Sequence, residues 1–315
     1  MAVKSCIAIA TAPCSTANLG PGYDVFGLAL DALEDKVKLI RTPLVGGRIK
    51  IKNSDQSIPS APESNSAGLV VKKMMYDFEI KDSIEVEITK GVPPGYGIGS
   101  SAASAAAAAM AFNTLYDLEI DNNRLVEYAA EGELASAGIK HYDNVAASLL
   151  GGFVICSIAS ERLQLIRLEP PKDLVLVVAV PLLEVPKKKT EIARSVLPKV
   201  VSLKDVVHNI SGATTIVAGF ALKDVETITR GIDDAIIEPA RKHLIQGYDG
   251  VKQNAISAGA LAVTISGAGP SMIAFLKTSE NAQIVAASMA KGFEKTGVQS
   301  KTFVCRASKG AQLLA

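Results

Sequence analysis

The sequence predicts an α+β protein built from two domains, and three observations support this. Its 315 residues exceed what one small core needs and suit two domains of roughly 100–200 residues each. The first half contains short strand patterns and then runs through a strand, a glycine-rich loop and a helix. The second half interleaves helical stretches with apolar strands, an order typical of helices packed on a sheet.

Composition and charge narrow the class of protein. With 48% hydrophobic residues, 21% charged residues and a net charge of +1, the chain resembles compact globular proteins and disfavours broad nucleic-acid binding. The four cysteines form no C-x-x-C pair and do not cluster with the three histidines. Free, mostly buried thiols are therefore expected, rather than a zinc site or disulfides. No apolar run reaches the ~18 residues of a membrane span, so we expect a cytoplasmic protein with no membrane or nucleic-acid partner.

Alternating and β-branched apolar residues predict the elements of the first half. A loop over residues 53–66, rich in proline, serine and asparagine, leads into a helix over 67–76 that Asn65 or Ser66 would cap. Two more helices are predicted after the glycine-rich loop, over 101–116 and 124–137. The predicted strands cover residues 5–10, 37–40, 48–52, 84–88 and 149–158.

The second half begins with a continuous apolar run over residues 174–180, which predicts a strand buried on both faces. A proline pair at the end of residues 160–171 separates this strand from the first half. We place the domain boundary there, with an N-terminal domain of residues 1–165 and a C-terminal domain of residues 166–315. The remaining predicted helices cover residues 202–221, 223–236 and 281–296, and the remaining strands cover 262–265, 272–276 and 301–305.

The segment P-P-G-Y-G-I-G-S-S-A-A, Pro93 to Ala103, has the features of a phosphate-binding turn. Its three glycines allow backbone N–H groups to approach an anion and to adopt positive φ. Two serines stand where a helix begins, and a helix N-terminus offers unpaired N–H groups and the positive end of its dipole. The spacing differs from G-x-x-x-x-G-K-[ST] and from dinucleotide-binding loops. The alternative is a glycine loop that only turns the chain into the helix.

This segment resembles the P-x-x-x-G-[IL]-G-S-S-A signature of the GHMP kinases, a family that includes galactokinase, homoserine kinase, mevalonate kinase and phosphomevalonate kinase. Two further segments resemble its first and third motifs, A-P-C-S-T-A-N-L-G-P-G-Y-D-V-F-G-L-A-L at residues 12–30 and T-I-S-G-A-G-P-S at residues 264–271. Alone, each would be an ordinary glycine turn. The resemblance implies an N-terminal mixed β/α domain with a left-handed-type crossover and a C-terminal ferredoxin-like α/β sandwich.

The resemblance also implies which residues bind the nucleotide and a metal ion. Residues 132–153 are closely similar to the G-E…G-x-x-H-x-D-N-V-A…G-G-F run of homoserine kinases, in which Glu133 and Ser101 would hold Mg²⁺. By sequence alone, Glu133 would be a carboxylate on a helix surface. The implied ATP-binding residues are Pro94, Gly95, Tyr96, Gly97, Ile98, Gly99, Ser100, Ser101, Ala102 and, near the adenine, Asn65.

The first motif is most similar to that of the homoserine kinases, so the implied acceptor is L-homoserine, phosphorylated during threonine biosynthesis. Arginine binds a carboxylate through two parallel hydrogen bonds, and Asp24 suits an ammonium group. Asn144 stands where sugar and mevalonate kinases carry aspartate, and it would orient the acceptor hydroxyl without taking its proton. The implied catalytic residues are Asn144, Glu133 and Ser101. The implied substrate-binding residues are Asn18, Asp24, His141, Asn144, Thr190, Arg194, Arg241 and Gly267.

Two alternatives stay open at this point. The same fold could phosphorylate another small acceptor, such as shikimate, mevalonate or a sugar, although paired arginines and Asn144 disfavour mevalonate and neutral sugars. A GHMP-like protein that binds ligands without catalysis would have no need for Ser101 and Glu133. A homodimer is compatible with the sequence by analogy with the family. The run Lys187 to Lys189 is expected to be a solvated loop.

Overall fold

The computed structural model describes residues 6–43, 46–55, 58–159, 162–186 and 189–314. Within them, the strands are β1 Ile7–Asn18, β2 Gly22–Thr42, β3 Ile49–Asn53, β4 Ser83–Thr89, β5 Phe153–Ala159, β6 Arg162–Leu168, β7 Val175–Pro181, β8 Ala262–Ile265, β9 Met272–Leu276, β10 Ser300–Cys305 and β11 Gln312–Leu314. The α-helices are α1 Ser66–Asp77, α2 Ser100–Tyr116, α3 Asn122–Ala130, α4 Leu134–Ala137, α5 Asp143–Leu150, α6 Lys189–Ser195, α7 Leu203–Leu222, α8 Val225–Arg230, α9 Ile237–Arg241, α10 Tyr248–Ser257 and α11 Ala282–Glu294. The predicted loop and strand residues Ser5, Gln56, Ser57, Ser160, Lys187 and Lys188 lie outside the described residues.

The first sheet has seven strands in the order β11-β1-β2-β4-β3, with β5 pairing with both β2 and β6. Only β3 and β4 among these described pairs are parallel, and α1 connects them. Strand β2 is 21 residues long, so it pairs with β4 at one end and with β5 at the other. Helices α1, α2 and α3 cover one face, where Leu39 and Val86 of the sheet share a core with Phe112. The small alanine side chains of α2 allow the helix to lie close to the sheet.

The second sheet has four antiparallel strands in the order β10-β7-β9-β8. The side chains of β7 alternate between two cores, as period-2 geometry requires. Leu176 and Val178 face a core shared with Phe26 and Phe153 of the first sheet, whereas Val177 faces a core formed with α10 and α11. The predicted strand buried on both faces is therefore confirmed, and the strand order agrees with the expected ferredoxin-like sandwich.

The two sheets are linked by the C-terminal segment, which returns to the first sheet after β10. The backbone N–H of Arg306 donates to Asp31 Oδ1 at 2.6 Å, and β11 pairs with β1. Strand β6 pairs along its whole length with β5 and spans the proposed boundary between residues 165 and 166. The division into domains at that position stays a prediction.

Three sequence-based element predictions were wrong in part. The predicted helix over 124–137 is α3 and α4 separated by the 3₁₀ turn Glu131–Glu133. The predicted strand over 149–158 starts only at Phe153, because the residues before it end α5, and Gly151 and Gly152 adopt φ of +73° and +67°. The predicted helix over 223–236 is limited to α8, which ends at Arg230 with Gly231 as its C-cap.

The cysteines agree with the expectation of free, mostly buried thiols. All four cysteines are free thiols, with Cys6 exposed and Cys14, Cys156 and Cys305 buried. None of the helices in the described ranges is long and apolar enough to cross a bilayer.

Candidate active site

Three glycine-containing turns meet at one place in the fold. The phosphate turn, which begins the segment Pro93 to Ala103, connects β4 to α2. The first-motif turn, within residues 12–30, connects β1 to β2, and the third-motif turn, within residues 264–271, connects β8 to β9. The N–H of Ser15, in β1, donates to the carbonyl of Ile98 at 3.2 Å. Ser266 Oγ, from the third-motif turn, donates to the carbonyl of Gly97 at 2.8 Å. The phosphate turn is therefore held from both sides by the other two motifs.

Close packing around the phosphate turn requires its glycines. Gly97 has φ of +79°, and a Cβ there would lie 2.4 Å from the carbonyl oxygen of Ser266 and 2.5 Å from that of Gly269. Gly99, with φ of +68°, is the N-cap of α2 and provides no side-chain cap. The first-turn N–H groups of α2 are therefore available to an anion at the end of the helix dipole.

The two serines at the start of α2 have different partners. Ser100 Oγ donates to the carbonyl of Val92 at 2.7 Å, which braces the turn. Ser101 Oγ donates to Oε1 of the buried Glu133 at 2.6 Å. A hydroxyl and a carboxylate side by side are oxygen ligands that fit a Mg²⁺ ion retaining waters and phosphate oxygens. The described residues contain no cluster of three or more His, Cys, Asp or Glu side chains that could hold a metal ion.

A cavity of about 260 Å³ extends from the phosphate turn to α6 and α9. The predicted residues that line it are Asn18, Asp24, Pro94, Gly95, Gly97, Gly99, Ser100, Ser101, Glu133, His141, Asn144, Thr190, Arg194, Arg241 and Gly267. The structure thus brings all the predicted catalytic, metal-binding and substrate-binding residues together.

Four of the predicted nucleotide-binding residues lie outside the lining of this cavity. Tyr96 donates its hydroxyl to the carbonyl of Leu183 at 2.9 Å, and the side chains of Ile98 and Ala102 are buried in the core. Asn65 caps α1, since its Oδ1 accepts from the N–H of Gly68 at 3.0 Å. The predicted cap is confirmed, and the adenine contact predicted for Asn65 stays a prediction.

The far end of the cavity contains a pair of arginines. Arg194 Nη2 lies 2.6 Å from Asp24 Oδ2. The buried Arg241 donates through Nε to the carbonyl of Ala193 at 2.9 Å, and burial lowers the pKa of its guanidinium. Both guanidinium carbons lie over the ring of Tyr23, at 5.4 and 5.1 Å from its centroid. The guanidinium groups of both arginines can therefore bind the same anionic group.

His141 connects the arginine end of the cavity to Glu133. Its Nε2 lies 2.6 Å from Arg194 Nη2, and its Nδ1 lies 3.8 Å from Glu133 Oε2. A guanidinium only donates hydrogen bonds, so Nε2 must be the acceptor and the proton belongs on Nδ1. This tautomer directs the Nδ1–H toward the carboxylate.

Asn144 lies in the first turn of α5 and is fixed by a serine of β1. Ser15 Oγ donates to Asn144 Oδ1 at 3.0 Å, and Ser148 Oγ donates to Ser15 Oγ at 3.1 Å. Because Oδ1 is the acceptor in this network, the amide NH₂ is the group available to a ligand. The N–H of Asn144 donates to Asp143 Oδ1 at 2.7 Å, and burial raises the pKa of Asp143 to about 6.

Sequence reasoning missed several residues of the site. Tyr23 and Asp143 line the cavity beside the predicted Asp24 and Asn144, so their positions in the motifs were an available signal. The expectation that Lys189 is solvated was wrong. Lys189 lines the cavity and donates from Nζ to a backbone carbonyl. Nothing in a run of three lysines singles out the last one.

Comparisons with known proteins agree with the motifs. The family model for the GHMP kinases N terminal domain matches residues 65–152, and the model for the GHMP kinases C terminal matches residues 216–295. The chain is 40% identical over 286 residues to a homoserine kinase from Thermoplasma volcanium, covering 91% of this chain and 90% of that protein. It is 39% identical to a homoserine kinase from Haloquadratum walsbyi, with coverage of 96% and 98%.

The fold comparison leads to the same family. A crystal structure of homoserine kinase from Cytophaga hutchinsonii matches with a TM-score of 0.92 and 35% identity, covering 100% of this chain and 99% of that one. Mevalonate kinase from L. major matches with a TM-score of 0.66 at 13% identity, and so shares the fold alone. The resemblance inferred from the three motifs is confirmed. The chain belongs to the homoserine kinase family of the GHMP kinases.

Proposed function

We propose that this protein transfers the γ-phosphoryl group of ATP to the hydroxyl of L-homoserine, giving ADP and O-phospho-L-homoserine for threonine biosynthesis. One observation carries the proposal: a single cavity has a phosphate turn at one end and, at the other, two guanidinium groups, of which that of Arg194 pairs with the carboxylate of Asp24. The names of the relatives point to the same acceptor. Transfer of a phosphoryl group from ATP to an amino acid requires one part of the cavity that binds phosphates and another that binds the charged groups of the amino acid.

The acceptor end suits a zwitterion. The side chains of Arg194 and Asp24 pair with each other at 2.6 Å. A bound amino acid exchanges this pair for two others, its carboxylate with Arg194 and Arg241 and its ammonium with Asp24. Net charge in the cavity is conserved by the exchange, and the guanidinium groups offer the forked geometry that a carboxylate prefers.

The nucleotide end suits the phosphates of ATP together with Mg²⁺. The phosphates would accept hydrogen bonds from the turn and from the first N–H groups of α2. Ser101 and Glu133, joined at 2.6 Å, would be the protein ligands of the metal ion. When bound, Mg²⁺ neutralises charge on the transferred group.

In the transfer step, the amide NH₂ of Asn144 donates to the homoserine hydroxyl and holds it in line with the γ-phosphorus. The hydroxyl oxygen bonds to phosphorus, and the bond to the bridging oxygen breaks with its electron pair remaining on ADP. A loose transition state requires alignment more than proton removal. The hydroxyl proton therefore leaves late, to an oxygen of the transferred phosphoryl group, without a general base at residue 144.

The alternative acceptors fit the charge pattern less well. Shikimate offers a carboxylate to the arginines but no ammonium group to Asp24. Neutral sugars offer neither charge. A binding protein without catalysis would not require the hydrogen-bonded pair of Ser101 and Glu133.

Cellular location and assembly are part of the same proposal. The use of ATP and the four free thiols favour the cytoplasm. Helix α7 exposes three apolar side chains, Leu203, Val207 and Ile210, at 78%, 58% and 58% exposure. Such a surface favours a homodimer that covers it. Sedimentation velocity at micromolar concentration would measure the oligomeric state, and a monomer would reject the proposed homodimer.

A coupled assay of ADP release tests the function with four acceptors: L-homoserine, shikimate, mevalonate and galactose. We expect the highest kcat/KM with L-homoserine. Turnover with another acceptor but not with L-homoserine would reject the proposal. ATP binding without turnover of any acceptor would favour the non-catalytic alternative.

A further inference from the structure

We propose that Lys189 is a further catalytic residue, whose ammonium group binds the terminal phosphoryl group of ATP during transfer. This inference rests on the proposed function of the cavity. Lys189 is the first residue of α6, is partly buried and lines the cavity together with the phosphate turn and both arginines.

The position of the ammonium group is defined by the third-motif turn. Lys189 Nζ donates to the carbonyl oxygen of Gly269. That same oxygen lies 2.5 Å from where a Cβ of Gly97 would be, so it packs directly on the middle of the phosphate turn. The Lys189 ammonium is therefore next to the backbone that is built to hold phosphates.

Lys189 also lies between the two ends of the cavity. Helix α6 presents Lys189 toward the phosphate turn, while Arg194, five residues later, pairs with Asp24 at the acceptor end. The part of the nucleotide that must reach this junction is the γ-phosphoryl group, because it is the group passed to the acceptor. A single helix thus supplies a cation for each reactant.

The charge state of Lys189 is consistent with an anionic ligand. Burial, and secondarily the positive charge of Arg241, lower the pKa of Lys189 to about 7. A nearby phosphate favours the charged form and raises the pKa again. The ammonium can then exchange a neutral carbonyl acceptor for a charged phosphate oxygen, which makes the stronger hydrogen bond.

Lys189 neither gives nor takes a proton in the step. The homoserine oxygen forms the new bond to phosphorus, its proton passes to an oxygen of the transferred phosphoryl group, and ADP leaves with the electron pair of the broken bond. The ammonium group keeps its proton and offsets the charge on the phosphoryl oxygens, an electrostatic contribution of the kind that preorganised cations make.

The variant Lys189→Met tests the assignment, with the exposed Lys199→Met of the same segment as a matched control. We expect kcat to fall roughly 100-fold in Lys189→Met, as when one preorganised donor is removed. By calorimetry, affinity for a non-hydrolysable ATP analogue should fall at least about tenfold, the loss of one charge-assisted hydrogen bond. Affinity for ADP and the KM of L-homoserine should stay unchanged, and Lys199→Met should match the wild type.

Two results would overturn the assignment. One is an unchanged kcat and analogue affinity in Lys189→Met. The other is a rise in the KM of L-homoserine alone, which would assign the ammonium to the acceptor carboxylate. The binding measurement does not require turnover. If the wild type binds the analogue but does not phosphorylate L-homoserine, the proposed function fails while the analogue affinities still decide the role of Lys189.

A measurement on the wild-type protein removes any dependence on the folding of the variant. Acylation of lysines by an amine-reactive reagent, followed by peptide mass spectrometry, reports the accessibility of each amine. We expect the ATP analogue to slow acylation of Lys189 more than ADP does, and to leave Lys199 unaffected. Equal acylation of Lys189 with and without the analogue would contradict a phosphate contact.

Discussion

At the scale of single residues, the proposed acceptor site consists of charged side chains that the fold already holds in place. Arg194 is held by Asp24 at 2.6 Å, and Arg241 is anchored through Nε to a backbone carbonyl of α6. The ring of Tyr23 lies under both guanidinium groups. Receiving a carboxylate therefore exchanges the Asp24 partner of Arg194 and leaves the anchor of Arg241 in place, which limits the entropic cost of binding.

The substitution Arg241→Lys tests the carboxylate contact. An ammonium group keeps the charge but cannot form the forked pair, so a charge-assisted hydrogen bond of about 1.5–3 kcal/mol is lost. We expect the KM of L-homoserine to rise about 10- to 100-fold, with the KM of ATP unchanged. Steady-state kinetics measure this against Arg230→Lys, an exposed arginine on α8. An unchanged KM for L-homoserine would remove Arg241 from the acceptor site.

The substitution Asn144→Asp tests whether a general base is missing. A carboxylate at this position cannot donate to the acceptor hydroxyl, and it would lie beside the buried carboxyl of Asp143, whose pKa is already raised by burial. We expect kcat at pH 7.5 to fall. A marked rise in kcat with an unchanged KM for L-homoserine would mean that the reaction lacks a base in the wild type, contrary to this mechanism.

Most residues of the proposed acceptor site could be predicted at this scale, but only through the family motifs. Arg194 and Asp24 are 170 residues apart in the chain, and no spacing rule joins them. Lys189 was missed because a lysine run is ordinarily solvated. Its burial depends on where α6 packs against the third-motif turn, which is a long-range property of the fold.

At the scale of elements, the phosphate turn depends on close packing between three loops. Its backbone is held by Ser15 on one side and by Ser266 on the other. The turn and α2 were predictable from glycine spacing and the serines at the helix start. The helix α5 was not, since residues 149–158 were predicted as one strand, whereas the helix continues to Leu150 and the strand begins at Phe153.

The substitution Gly97→Ala tests the close packing, with Gly297→Ala as control. The two glycines have nearly the same φ, +79° and +80°, but only Gly97 has backbone oxygens near the added Cβ. Positive φ alone costs roughly 1 kcal/mol of stability in both variants. We expect the KM of ATP to rise at least about tenfold in Gly97→Ala, because a displacement of ~1 Å misplaces the phosphates, and to be unchanged in Gly297→Ala. Equal nucleotide affinity in the two variants would contradict a packed phosphate turn.

A buried ionic cluster fixes the start of this turn. Asp35, which is fully buried, accepts hydrogen bonds from Lys90 Nζ, from Ser104 Oγ at 2.6 Å and from the N–H of Val92 at 3.0 Å. Lys90 Nζ also donates to the carbonyl of Ser100 at 3.0 Å. Burial lowers the pKa of Lys90. The cluster therefore ties β2 to both ends of the phosphate turn.

Removing one partner of this cluster leaves a buried charge without compensation. We expect Lys90→Met to lower the free energy of unfolding by about 3–5 kcal/mol, measured by urea denaturation. The matched control is Lys72→Met, whose partner Glu63 is 63% exposed, against 0% for Asp35, and which should show no measurable loss. Equal stability of the two variants would mean that the cluster is not important for the turn.

At the scale of the whole molecule, the two sheets share one core and one cavity. Phe153 of the first sheet and Leu176 of the second lie in the same cluster of buried side chains, and the chain returns through residues 306–314 to pair with β1. The two-layer class of each half could be predicted from element order. How the two halves pack against each other could not be predicted, because this depends on contacts between residues distant in sequence, such as the pairing of β11 with β1.

Transfer of the γ-phosphoryl group of ATP to an amino-acid hydroxyl is tested most directly by ³¹P NMR of the reaction mixture. Unlike ADP release, the spectrum separates phosphoryl transfer from hydrolysis of ATP. With L-homoserine and Mg²⁺-ATP, we expect the γ-phosphate signal to be replaced by a phosphomonoester signal that shows coupling to the adjacent CH₂ protons. The appearance of inorganic phosphate alone, or an unchanged ATP spectrum, would contradict the account.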